Sequence, residues 1–137
     1  MSRLNLNPKI WGPKAWFFIE SSALSYPDEP TKTDKSRMKT FLKSIAYAIP
    51  CASCREHYEE NLNKYPLTDN ILANKDNLFD WIVNLHNDAG RKKNISVDDS
   101  IKYYVDEYSE NKEKTKEPFE QEKVIIKENK SYFACII

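Results

Sequence analysis

Leu78, Trp81, Ile82, Leu85 and Ala89 recur at steps of three and four residues, and no other feature constrains this chain so tightly. At 3.6 residues per turn these side chains form one apolar stripe of a helix, whereas a strand would scatter them over both faces. The same period returns at Ala15, Phe18, Ile19, Ser22 and Tyr26, and again at Met38, Phe41, Leu42 and Ile45. Cys54, Tyr58 and Leu62 repeat it, as do Ile101, Tyr104, Val105 and Tyr108. The first helix is expected from Trp11, with Pro13 in its first turn, and Pro27 and Pro30 end it because proline bars helix continuation. The second runs from a cap at Asp34 to about Ala48. The third opens at the cysteines, with Pro50 in its first turn, and ends near Tyr65-Pro66. Asp76 or Asn77 caps the fourth, which ends near Gly90 or in the basic run Arg91-Lys92-Lys93. Ser96 starts a fifth, shorter helix. Only two glycines, Gly12 and Gly90, argue against a turn-rich β fold and a glycine-rich phosphate loop. The fold class is therefore all-α.

The 137 residues suit one domain with a modest core. Residues 1–110 carry the helices. Residues 111–137 are expected to be a charged tail, flexible by composition, with an apolar end in Val124-Ile125-Ile126 and Tyr132–Ile137. The 21 basic and 21 acidic residues cancel, which points away from nucleic acid and from an anionic membrane surface. No apolar run approaches the roughly 20 residues of a membrane span, and the N-terminus lacks the apolar core of a secretory signal. The expected address is cytoplasmic and reducing, where paired cysteines are more often catalytic or metal-binding than structural.

That expectation bears on Pro50-Cys51-Ala52-Ser53-Cys54, a CxxC motif following an apolar run. A thiol at a helix N-terminus sits at the positive end of the backbone dipole, which favours thiolate. Four readings are open: a dithiol/disulfide redox centre, a zinc site completed by His57 or His86, a thioredoxin-like motif, or two inert buried thiols. Zinc ordinarily takes four ligands from loops, and a thioredoxin-like motif needs a preceding strand. The second chemically suggestive stretch is Trp81, His86 and Asn87 leading into Gly90, Arg91, Lys92 and Lys93. An aromatic ring, an imidazole and an amide at helical spacing are either core packing or the lining of a slot for a planar anionic cofactor. In the second case the rings stack, the amide hydrogen-bonds and the basic residues neutralise phosphate. Trp11-Gly12-Pro13-Lys14-Ala15-Trp16 presents the same choice.

These pieces, in this order, resemble the Erv/ALR family of FAD-linked sulfhydryl oxidases. The resemblance rests on WGPxxW at Trp11–Trp16, Tyr-Pro-Asp-Glu-Pro-Thr at 26–31, PCxxC at 50–54 and WxxxxHN at Trp81–Asn87. It covers residues 11 to about 104 and is most similar to the compact enzymes of large cytoplasmic DNA viruses. It implies a four-helix bundle with a short fifth helix, FAD held within the bundle, and a homodimer. It further implies oxidation of a protein dithiol substrate, or of a thioredoxin-like relay protein, with electrons passing through the CxxC and FAD to molecular oxygen to give hydrogen peroxide. Cys51 would be the outer sulfur that substrate thiolates attack, and Cys54 the flavin-proximal one. Cofactor contacts would come from Trp11, Gly12, Pro13, Trp16, Glu20, Tyr26, Cys54, His57, Trp81, His86, Asn87, Gly90, Arg91, Lys92 and Tyr104. The chain departs from the family in carrying Glu20 where histidine is frequent, and in Val83 and Ser100 near the positions of an extra structural disulfide. Cys135 stands alone, so it cannot form an internal shuttle disulfide. A viral origin would put the protein in the host cytoplasm or the virion.

Overall fold

The computed structural model describes residues 4–90 and 93–114, with side chains to residue 109. Arg91, Lys92 and the tail beyond Lys114, Cys135 included, lie outside the described residues. Five α-helices and one 3-10 turn account for the secondary structure, with no strand among the described residues. The helices are α1 (Pro8–Leu24), α2 (Lys32–Ala48), α3 (Ala52–Lys64), α4 (Lys75–Asp88) and α5 (Val97–Lys114), and the turn spans Ile71–Ala73. The all-α expectation holds.

Each helix start has a chemical cause. Asn7 caps α1, accepting a hydrogen bond from the Lys9 amide at 3.0 Å, and Pro8 occupies the first helical position, where its missing N–H costs nothing. The helix thus begins three residues before the expected Trp11, and Pro13 lies inside it rather than in its first turn. Thr31, not Asp34, caps α2: its hydroxyl accepts from the Asp34 amide while the Asp34 carboxylate accepts from the Thr31 amide at 2.8 Å. That reciprocal pair is a capping box, with Asp34 in its third helical position. Cys51 caps α3 in extended conformation, so Pro50 stands before the helix rather than within it. Asn74 caps α4 by accepting from the Asn77 amide at 2.9 Å, ahead of the expected Asp76 or Asn77. Ser96 begins α5 as expected, accepting from the Asp99 amide at 3.1 Å.

At the centre is α4. It packs against α1 and the 3-10 turn, and α2 packs against α3 and the same turn. The fully buried Leu72 in that turn joins the two pairs. On α4 the expected stripe of Leu78, Trp81, Ile82 and Leu85 is buried, joined by Phe79 and Val83, while Ala89 is only half-buried. Each large aliphatic side chain so removed from water contributes about 1.5–3 kcal/mol. Polar ties fix the register between elements. The Tyr58 hydroxyl of α3 donates to the Leu42 carbonyl of α2 at 2.9 Å, and the Trp81 indole of α4 donates to the Tyr65 carbonyl at 3.1 Å.

Two departures matter for function. On α1 the buried face is Ile19, Glu20 and Ala23, whereas Phe18, expected in the stripe, is 61% exposed and meets Phe41 of α2 edge to face. A carboxylate has therefore replaced an aromatic ring in the bundle interior. The fifth helix, expected to be short, has 18 residues and is the longest of the five. Its continuation is rich in glutamate and lysine, which are among the better helix formers. By contacts the chain divides into a unit ending at Ser100, containing α1 to α4, and a second beginning at Ile101.

Candidate redox site

Cys51 and Cys54 are joined as a disulfide, with Cα atoms 5.2 Å apart and both residues half-buried at the start of α3. Because Cys51 is the cap, its sulfur takes the place of a capping oxygen and accepts from the Cys54 amide at 3.3 Å. The Ser53 hydroxyl lies 3.5 Å from the same sulfur, and since a disulfide sulfur bears no proton the hydroxyl is the donor. Sequence reasoning passed over Arg55, the residue after the motif. Its guanidinium donates to the Ile49 carbonyl at 2.7 Å, tying the turn that presents Pro50 and Cys51 back onto α3. The signal was a cation one position past the second cysteine, within reach of the last carbonyls of the preceding helix. With the two sulfurs bonded to each other, neither is free to bind zinc. No group of three His, Cys, Asp or Glu among the described residues is placed to hold a metal ion. The zinc reading is not favoured.

A second cluster lies where α1 meets α4. The Trp16 indole and His86 imidazole stack with centroids 4.2 Å apart and planes 7° from parallel. Behind them Glu20, 1% exposed, places a carboxylate oxygen 2.6 Å from His86 Nδ1. Burying a carboxylate is costly unless it is paired and hydrogen-bonded, and the imidazole provides the pairing. Thus three of the sequence-predicted residues, from two helices, form one unit.

The other predicted residues have more varied settings. Trp11 donates its indole N–H to the Leu6 carbonyl at 3.1 Å, and Pro13 is exposed within α1. Gly12, one turn before Trp16, has no atom within 4 Å of where a Cβ would stand. Gly90, four residues past His86, likewise faces open space and adopts φ of 101°, which only glycine takes without strain. Trp81 is buried, and its indole N–H is spent on Tyr65. Tyr26 is buried too, donating its hydroxyl to the Leu72 carbonyl at 3.1 Å; burial first, and then the charge of Asp34, pushes its phenol above the ordinary value. The Asn87 amide, expected to bond a cofactor, bonds the backbone N–H and C=O of Ile95 at 3.2 and 3.0 Å and so shapes the turn after α4. His57 is exposed on α3. Tyr104 belongs to the second unit, where its ring stacks on Tyr108 and meets Tyr103 edge to face.

At the far ends of α3 and α4, the Asp88 carboxylate accepts from Lys64 at 2.7 Å and from the Tyr65 hydroxyl at 2.6 Å. Those two bonds, the lysine's first, hold the carboxyl below the usual range, with a smaller contribution from His57, and Asp88 in turn raises the Lys64 amine.

Fold and site together define an α-helical bundle that carries a dithiol/disulfide pair at a helix start. The chain belongs to the Erv1/Alr family, whose sequence pattern matches residues 13–109. Over 82 residues it is 45% identical to a protein of Acanthamoeba polyphaga mimivirus named as a probable FAD-linked sulfhydryl oxidase. That match covers 60% of this chain and 57% of the mimivirus protein. An FAD-linked sulfhydryl oxidase of African swine fever virus is 30% identical over 87 residues, covering 64% of this chain and 71% of the viral one. The chain thus spans little more than half of the mimivirus relative. Among solved structures, the yeast Erv1 core superposes with a TM-score of 0.61 at 23% identity, covering 72% of this chain and 81% of that one. At that identity the likeness is one of fold.

Proposed function

We propose that this protein is an FAD-linked sulfhydryl oxidase that forms disulfides in protein thiols. The observation that carries the reading is the Cys51–Cys54 disulfide, half-buried at the start of α3 in a chain of the Erv1/Alr family. A substrate thiolate attacks the Cys51 sulfur, the Cys51–Cys54 bond breaks, and Cys54 leaves as thiolate. A second substrate thiolate then attacks the substrate sulfur of the mixed disulfide. Cys51 departs as thiolate, and the substrate leaves with its new disulfide. Two electrons now reside in the Cys51/Cys54 dithiol. The Cys54 amide and the Ser53 hydroxyl both point at the Cys51 sulfur, stabilising negative charge as it develops there.

The chemistry of the α1–α4 cluster fits a flavin. Trp16 and His86 provide a flat π surface, and each lies four residues from a glycine with open space beside it, Gly12 or Gly90, where a planar ligand can approach backbone. Trp11 and Pro13 belong to α1 and Trp81 and Asn87 to α4, the same two helices, whereas His57 stands exposed on α3. When bound, FAD supplies the two-electron acceptor that restores the disulfide and hands the electrons to oxygen as hydrogen peroxide. Protein dithiols or a thioredoxin-like relay are the proposed reductants, a second copy of the chain the proposed partner, and the cytoplasm or a virion the proposed place. No helix among the described residues is long and apolar enough to cross a membrane.

The test is direct. Purified protein should show a flavin absorbance spectrum and, with dithiothreitol in air, consume oxygen and release peroxide. Colourless protein that cannot be reconstituted with FAD and leaves the dithiol reduced would sink the reading.

A further inference from the structure

We infer that Glu20 is a positioning residue that acts on the flavin site through His86 rather than by contact, an inference that rests on the FAD reading above. The carboxylate is 1% exposed and 2.6 Å from His86 Nδ1, and the same imidazole lies flat on Trp16. A 2.6 Å contact needs one proton between its two heavy atoms, and we assign it to Nδ1 with Glu20 as the acceptor. This fixes two properties of the ring at once. Its plane is set by the stack on one side and the hydrogen bond at its edge. Its tautomer is set by the acceptor, which leaves Nε2, on the opposite side of the ring, as the nitrogen presented away from Glu20.

The burial argues that the arrangement is retained for a purpose. At 1% exposed, Glu20 sits on the buried face of α1 between Ile19 and Ala23, where an apolar side chain of similar volume would pack without desolvation cost. The side chain of His86 retains 16% exposure, so the imidazole is the member of the pair that reaches toward the surface. Glu20 holds and His86 presents. The cofactor-contact role expected for Glu20 from the sequence is thereby transferred to its partner.

The chain has two histidines, so nitrogen NMR of ¹⁵N-histidine-labelled protein resolves them, with His57→Gln assigning the spectrum. The expected result is His86 protonated at Nδ1 in the wild type, and reversion toward the Nε2-protonated form of free imidazole in Glu20→Leu. FAD affinity, titrated by flavin fluorescence on apoprotein, should fall by about tenfold or more in Glu20→Leu. Glu20→Gln, whose amide oxygen still accepts from Nδ1, should recover most of that loss. Wild-type His86 with a bare Nδ1 would overturn the inference even if no variant folds. Equal loss in the Gln and Leu variants would also overturn it, by showing that the charge itself meets the cofactor, as would full affinity in Glu20→Leu. Wild-type protein that never binds FAD is a separate failure: it removes the flavin reading, while the NMR still reports whether Glu20 sets the His86 tautomer.

Discussion

At the residue scale the two cysteines differ in position, and the proposed division of labour follows from that difference. Cys51 is the extended cap whose sulfur receives the Cys54 amide, and Cys54 lies within the first turn of α3. Cys51→Ala and Cys54→Ala should each lower dithiol oxidation by about a thousandfold or more, since neither remaining thiol can form the internal disulfide. Far-ultraviolet circular dichroism and flavin absorbance should stay as in the wild type, because neither sulfur belongs to the buried core. Loss of helix or of flavin in the Cys51 variant would place that residue in the scaffold instead. The CxxC could be read from sequence because its spacing is its chemistry. The Glu20–His86 pair could not, since the two residues are 66 positions apart and only the packing of α1 on α4 joins them. The same limit hid the use of Asn87 on Ile95 and of Tyr26 on Leu72. A side chain's type tells what it can bond, while its partner is fixed by tertiary structure.

At the scale of elements, helix existence was legible, while of the helix starts that of α5 at Ser96 was and those of α1, α2 and α4 were not. The apolar stripe of α4 was placed correctly, because 3.6-residue periodicity survives small errors of register, whereas on α2 only Leu42 of the expected Met38, Phe41, Leu42 and Ile45 is buried, joined by Ala46. The caps were displaced by about three residues for a specific reason. At both starts the cap and the third helical residue are polar, as a capping box at Thr31 and Asp34 and as a one-way cap at Asn74 and Asn77, so either member qualifies by type. The structure separates them, and mutation should too. Asn74→Ala should cost about 1 kcal/mol in urea unfolding, and Thr31→Ala a similar amount. An unchanged midpoint for Asn74→Ala would refute its role as the α4 cap. The junction of α3 and α4 supplies a pH signature. Asp88 has its folded pKa lowered by Lys64 and Tyr65, so its contribution is present above the ordinary carboxylate value of about 3.9 and is lost as pH falls through the folded value. The Lys64 amine is raised, so its contribution is present below about 10.4 and disappears only on the alkaline side. Thermal melts of Asp88→Asn should therefore match the wild type more closely in strong acid than near neutrality. A constant difference across that range would show that Asp88 contributes nothing by its charge.

At the scale of the whole molecule, chemistry and support are separable. The redox pair is at the half-buried start of α3, whereas the core gathers on α4, where Leu78, Ile82, Val83 and Leu85 are fully buried. Helix α4 also carries His86, so anything that loosens its seat against α1 disturbs the stack on Trp16 as well as the core. Ile82→Ala removes buried methyl and methylene groups from a site with no access to solvent and should cost about 2–5 kcal/mol. For a chain of this size that is a large part of the total stability. The fall in midpoint should be accompanied by faster release of FAD at temperatures where the variant is still folded, since the imidazole and indole lose their fixed spacing. The double variant Cys51→Ala with Cys54→Ala makes the opposite pattern: no turnover, a flavin held as firmly as before, and a melting midpoint close to that of wild-type protein in reductant. Measuring midpoint, flavin release and oxygen consumption together on both variants tests the separation. If the cysteine variant loses flavin as readily as Ile82→Ala, the start of α3 is part of the cofactor's support and the two functions are not divided between α3 and α4.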